Sequence, residues 1–238
     1  MSMRALELVA VAVACVATLG SAYADVERGI DAYNKGDYKS ALEELRTASQ
    51  AGDAKAQFYL GEMYDKGRGV PQDFVESAKW YRSAADNTHL DAQELLCSRL
   101  FFGQASLPKD AAAALGYCSL AGKAGRAYSA YLAGHLLEHG ENVAHDKARA
   151  VEFYRIAAEA GNADAQEALG SIYFFGTDVT QDHALAAKWL RPVAEAGRVF
   201  SQYLLGYLLE AGKGVNADAT EAARWYRKAA DQGNAQAM

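Results

Sequence analysis

Residues Gly52 to Asn87 read GDAKAQFYLGEMYDKGRGVPQDFVESAKWYRSAADN, and most of the chain that follows is copies of this stretch. Its opening Gly52 falls in turn on Thr88, Gly125, Gly161, Gly197 and Gly233, at spacings of 36, 37, 36, 36 and 36 residues. A fixed period of that length is the mark of a solenoid, in which one small supersecondary unit buries its apolar face against the next. Within the unit, Gln57, Leu60, Gly61 and Tyr64 fall at i, i+3, i+4 and i+7, one stripe of a first helix. Gly61 costs about 1 kcal/mol of helix propensity relative to alanine, which close approach of a second helix would offset. Gly67 and Gly69 stop the first helix with positive φ, Pro71 prevents its continuation, and Asp73 is placed to cap the second. Ala78, Ala84 and Ala85 give that second helix a small-residue face, while Trp80 and Tyr81 are read as filling the space between neighbouring units.

Two copies are strong. One keeps Leu169, Gly170, Tyr173, Gly176, Val179, Asp182, Ala187 and Trp189; the other keeps Leu205, Gly206, Gly212, Val215, Asp218, Ala223, Trp225 and Tyr226. The copy from Gly125 keeps Gly134, Gly140, Val143, Asp146, Phe153, Tyr154, Ala157 and Ala158. The copy from Thr88 is degenerate, with Cys97 at the glycine position and one extra loop residue before Asp110, so irregularity is expected there.

The pattern resembles the Sel1-like repeat family, a branch of the tetratricopeptide-type solenoids, over residues 52–238. A shorter tetratricopeptide-like unit, with Tyr33, Gly36, Tyr38 and Ala41, precedes it. The resemblance implies an all-α fold, a right-handed alpha-alpha superhelical solenoid, acting as an interaction scaffold, usually without catalysis. The expected organisation is a signal peptide over 1–24, an N-terminal cap over 25–51, repeats over 52–87, 88–124, 125–160, 161–196 and 197–232, and an incomplete repeat start over 233–238.

Residues 1–24 carry Arg4, an apolar run from Leu8 to Leu19 and Ala22-Tyr23-Ala24, the plan of a secretory signal cleaved before Asp25. A periplasmic or secreted location is therefore expected. Cys15 leaves a lipidation alternative open. No later segment approaches the roughly 20 apolar residues of a membrane span. A net charge of −6 with no basic run makes nucleic acid a poor partner.

Candidate chemistry is sparse. His135-Leu136-Leu137-Glu138-His139 matches H-x-x-E-H, known from one class of zinc peptidases. These residues occupy the unit positions of Glu62 to Lys66, and no third ligand is recognisable, so they are read as a helix face. Ser106-Leu107-Pro108-Lys109 matches S-x-x-K, but a proline between the two breaks the one-turn geometry that motif needs. Some secreted cysteine-rich members of the resembled family are described as penicillin-binding, which keeps a hydrolase of beta-lactams or cell-wall material as the alternative. No catalytic residue, metal ligand or cofactor is assigned. Cys97 and Cys118, 21 residues apart across a hairpin, are candidates for a disulfide in an exported chain.

In tetratricopeptide-type solenoids the first helix of each unit lines the concave surface. Its water-facing positions here are unusually aromatic: Phe58, then Phe101 and Phe102, then Tyr128 and Tyr131 with His135, then Phe174 and Phe175, then Phe200, Tyr203 and Tyr207. Rings have no packing reason to sit in water, and binding grooves use them as anchors with few torsions to freeze; the alternative is that some, Phe102 and Phe175 above all, tuck beneath the next turn as core. The expected partner-binding set is Phe58, Tyr128, Tyr131, His135, Phe174, Phe200, Tyr203 and Tyr207, with Glu138 and Glu210 available for basic side chains of a protein or peptide partner. The incomplete final repeat leaves the helix bearing Trp225 without a cover, and self-association there is a further expectation.

Overall fold

The computed structural model describes residues 25–104, 107–140 and 142–237. The signal segment, Cys15 and Ser106 lie outside the described residues. The described residues divide into two compact units, the first running to Lys109 and the second from Asp110.

The first unit contains α1 (25–35), α2 (Tyr38–Gln50), α3 (Ala54–Lys66), α4 (Phe74–Asp86) and α5 (Leu90–Phe102). The second contains α6 (Ala111–Lys123), α7 (Ala127–His139), α8 (Lys147–Glu159), α9 (Ala163–Phe175), α10 (His183–Glu195), α11 (Val199–Ala211) and α12 (Ala219–Asp231), closed by a 3-10 turn at Ala235–Ala237. In each unit, consecutive helices from α2 to α5 and from α6 to α12 pack on one another in chain order. The only β-type pairing among the described residues is an isolated bridge of Gln104 with Leu107, in the loop where the sequence departs from its repeat.

Every helix from α2 to α12 is 13 residues long, because the same start and stop signals recur. The second helices begin at an aspartate whose carboxylate accepts from backbone N–H groups of the first turn: Asp73, Asp110, Asp146, Asp182 and Asp218. The first helices α3, α7, α9 and α11 end on a left-handed glycine, Gly67, Gly140, Gly176 or Gly212. The second loop glycine, Gly69 or Gly214, also has positive φ; Asn142 and Asp178 replace it at φ 59°, and these are the residue types that tolerate that region.

The eighth residue of each first helix faces the eighth of the second. A Cβ on Gly61 would lie 2.8 Å from the Tyr81 ring, on Gly170 2.5 Å from Leu190, and on Gly206 2.9 Å from Tyr226. Tyr81 thus packs over Gly61 inside its own repeat, and the Arg99 guanidinium of the next first helix lies 5.2 Å from its ring centroid; Trp80 packs against the cluster that contains Leu45 of α2 and Leu60 and Met63 of α3.

Successive repeats are joined by a recurrent glutamine, buried at Gln57, Gln93 and Gln202 and half-buried at Gln166. The Gln57 amide donates to Ser49 O, Gln93 to Ala85 O, Gln166 to Ala158 O and Gln202 to Ala194 O, at 3.0–3.1 Å. Each adds a second hydrogen bond to a carbonyl in the last turn of the preceding helix, which also accepts from the backbone N–H of Gly52, Thr88, Gly161 or Gly197. In α7 that position is Ala130, and the facing residue is Gly122, whose hypothetical Cβ would lie 2.8 Å from the Ala130 Cα. Losing the glutamine allows the closer approach. Trp225, expected to lie without a cover, is buried, whereas Ala223, Arg224, Arg227 and Lys228 of α12 are exposed.

Candidate binding groove

In the second unit, α7, α9 and α11 carry the aromatic residues singled out by sequence. The stagger of α9 and α11 brings five rings around one open groove of about 310 Å³: Phe174 and Phe175 from the end of α9, and Phe200, Tyr203 and Tyr207 along α11. Leu204 forms its floor and Gln236, on the terminal 3-10 turn, one wall. Phe174 sits edge-on to Tyr207 at 5.5 Å and to Phe175 at 4.9 Å, favoured quadrupole geometry. Phe175 is 57% exposed and Phe200 41%, while Tyr203 and Tyr207 are half-buried.

On α7 the rings run along one helix. Tyr128 stacks on Tyr131 at 6.2 Å, Tyr131 lies 6.2 Å from His135, and His135 lies 4.1 Å from His139. Burial raises the Tyr131 hydroxyl pKa, the Asp164 carboxylate adds to that, and Arg198 opposes it. Tyr131 therefore lies close to the α9 and α11 residues that cross-link those helices. There the Arg198 guanidinium donates to Asp164 at 2.6 Å and to Glu167 at 3.2 Å, and Ser201 Oγ donates to Glu167 at 2.7 Å. This network takes over at the start of α11, where Arg198 gives no side-chain cap.

The two carboxylates expected to meet basic side chains are otherwise engaged. Glu138 accepts from the Tyr154 hydroxyl at 2.8 Å and lies 3.9 Å from Lys147; Glu210 accepts from the Tyr226 hydroxyl at 2.8 Å. Burial and the adjacent carboxylate push both tyrosine pKa values upward, so both remain protonated donors.

Phe58 belongs to the first unit and has a different setting. It stacks on His89 at 4.5 Å, beside a polar cavity of about 240 Å³ that Glu27, Lys55 and Asp91 also line. Phe102, on α5, is 60% exposed. Sequence pattern did not pick out Gln236 or this polar cavity, since neither sits at an aromatic position of a first helix. Among the described residues no group of three or more His, Cys, Asp or Glu side chains could hold a metal ion, and no helix is long and apolar enough to cross a membrane.

The Sel1 repeat pattern matches residues 54–89, 90–125, 127–162, 163–197 and 199–234. The chain belongs to the Sel1 repeat family. Each match runs from the start of a first helix to just beyond the second, so the aromatic positions of α9 and α11 fall in the last two repeats of this Sel1 repeat protein. Among solved structures, c5321, a protective antigen of uropathogenic Escherichia coli with this repeat fold, is 32% identical over 93% of the chain, with a TM-score of 0.66. The chain covers 48% of that protein, about half its length. A Sel1 repeat protein from Oxalobacter formigenes is 28% identical, covering 90% of this chain and 84% of that one, with a TM-score of 0.62. No curated protein matches.

Proposed function

We propose that this Sel1 repeat protein is an exported, non-enzymatic adaptor that binds a protein or peptide partner through the first-helix face of its second unit. The groove between α9 and α11 carries this reading, because its five rings leave apolar surface open beside a framework fixed by the buried Gln202 and the Arg198 network. Sel1 repeats generally serve protein–protein interaction, and an aromatic cluster in a groove is what hot-spot energetics favours. The leader-like plan of residues 1–24 supports export to the periplasm or beyond. In that oxidising setting a bridge between Cys97 and Cys118 would staple the degenerate repeat.

The test starts from a partner captured from the native exported fraction. Its affinity and the melting temperature are then measured for the protein with Tyr131, Tyr203 and Tyr207 replaced by alanine. Lost affinity at an unchanged melting temperature supports the groove. A lowered melting temperature with unchanged affinity assigns those rings to the core and overturns the reading.

A further inference from the structure

The charges that touch the groove rings are basic. Lys213, exposed in the loop after α11, places Nζ 3.0 Å from the Tyr207 hydroxyl oxygen and 5.0 Å from that ring's centroid. Both contacts are with a neutral side chain, and no carboxylate among the described residues lies within ion-pair reach of Lys213. A second basic group stands on the same side: the half-buried His183 imidazole lies 5.9 Å from the Phe174 ring, edge-on, at the first position of α10. The two belong to one local structure, because Gly214 is packed so tightly on the start of α10 that a Cβ there would lie 2.3 Å from the His183 carbonyl carbon.

The carboxylates nearby point elsewhere. Asp182 accepts from the backbone N–H groups of Ala184 and Leu185, Glu210 is turned to the Tyr226 hydroxyl on α12, and Asp164 and Glu167 are held by Arg198. An ammonium has three donors, and only one is used here. A neutral imidazole offers an N–H in either tautomer. An anion laid across the Phe174–Tyr207 end of the groove would therefore find donors on two sides, beside aromatic surface that excludes water and strengthens the attraction.

Resting on the adaptor reading, we propose that the groove selects an acidic peptide segment: an aromatic or aliphatic anchor seated among Phe174, Phe200, Tyr203 and Tyr207, with an aspartate or glutamate beside it facing Lys213 and His183. The anchor supplies most of the affinity and the carboxylate supplies selectivity, since one partly exposed ion pair is a small contribution.

A phage-displayed random dodecapeptide library, selected in parallel on the unmodified protein, on Lys213→Glu and on the Tyr203→Ala/Tyr207→Ala pair, tests this. The expected result is enrichment of Asp or Glu next to an apolar anchor on the unmodified protein, and its disappearance or reversal to Lys and Arg on Lys213→Glu. Individual acidic peptides should lose about two- to fivefold in affinity on that substitution, and their binding should weaken with salt. Apolar anchors enriched without acidic neighbours would leave the groove standing and overturn the acidic preference. Basic neighbours enriched on the unmodified protein would overturn it in favour of Glu210 as the operative charge. Enrichment no greater than on the double tyrosine variant would overturn the groove reading itself.

Discussion

A Cβ added to Gly134 would lie 2.7 Å from the ring of Tyr154, nearer than real Cβ contacts come, and Tyr154 is 1% exposed with its hydroxyl tied to Glu138. The ring has no space into which to retreat. Gly134→Ala should therefore lower stability by about 1–3 kcal/mol through overpacking, even though alanine gains about 1 kcal/mol of helix propensity. Gly116, in the middle of α6, is the control, since a Cβ there meets nothing within 4 Å. Gly116→Ala should stabilise by up to about 1 kcal/mol. Urea denaturation of both variants checks the pair; a Gly134→Ala protein as stable as the parent would refute the close-packing account.

Thr88 occupies the position held elsewhere by Gly52, Gly125, Gly161, Gly197 and Gly233, and it shares their left-handed backbone, at φ 67°. A β-branched residue there is strained, by about 1–2 kcal/mol. Thr88→Gly should raise the unfolding free energy by about 0.5–1 kcal/mol, the remainder being offset by the greater entropy glycine gives the unfolded chain. Thermal melts of the variant measure this, with an increase expected and a decrease incompatible with strain at Thr88.

The 36-residue period made the all-α helix-turn-helix order of the repeats legible before any coordinate, because caps and left-handed glycines act locally and repeat with the unit. The aromatic positions were legible for the same reason, and five of them, Phe174, Phe175, Phe200, Tyr203 and Tyr207, line one groove. What sequence could not supply was which neighbour each side chain chooses. Tyr81 turned inward over Gly61 because the glycine opens space within the repeat, and Glu138 and Glu210 went to Tyr154 and Tyr226 because those hydroxyls lack another acceptor. Phe58 shares a sequence position with Tyr131 and Tyr203, yet stacks on His89, a residue that caps the next helix and has no aromatic counterpart in the other repeats.

His89 caps α5 through Nδ1, which accepts from the Ala92 N–H at 3.3 Å and so must be unprotonated. Burial lowers its pKa below the ordinary 6.5, with Asp91 opposing the shift. The folded state therefore binds fewer protons than the unfolded state once pH drops below about 6.5, and stability falls with pH from there down to the folded pKa, then levels. Above pH 7 the group contributes no pH dependence. His89→Asn keeps a capping acceptor without the titration, so its stability profile between pH 7 and 5 should be flatter than the parent's. Denaturant midpoints at pH 7, 6 and 5 test it; parallel profiles would remove His89 as the source of any acid sensitivity.

The four repeats with a glycine at the eighth position of the first helix show what that position meets: the eighth residue of the second helix, at 2.5–2.9 Å from a hypothetical Cβ. In the remaining repeat the two positions are Cys97 and Cys118, and each is fully buried. By the repeat pattern the two cysteines hold the positions that a glycine and a bulky side chain hold in the other repeats, so a disulfide between them is the expectation for this repeat. The expected outcome is a peptide containing both residues joined by a disulfide when the unreduced protein is digested and mapped by mass spectrometry, which keeps Cys15 out of the count. Reduction should then cost about 2–4 kcal/mol, with the loss concentrated in the repeat that lacks the glycine and carries Thr88. Alkylation of both Cys97 and Cys118 in unreduced, denatured protein would show that the bridge does not form. A Cys97→Gly/Cys118→Tyr protein, restoring the pair found at Gly134 and Tyr154, should fold without a bridge and become insensitive to reductant.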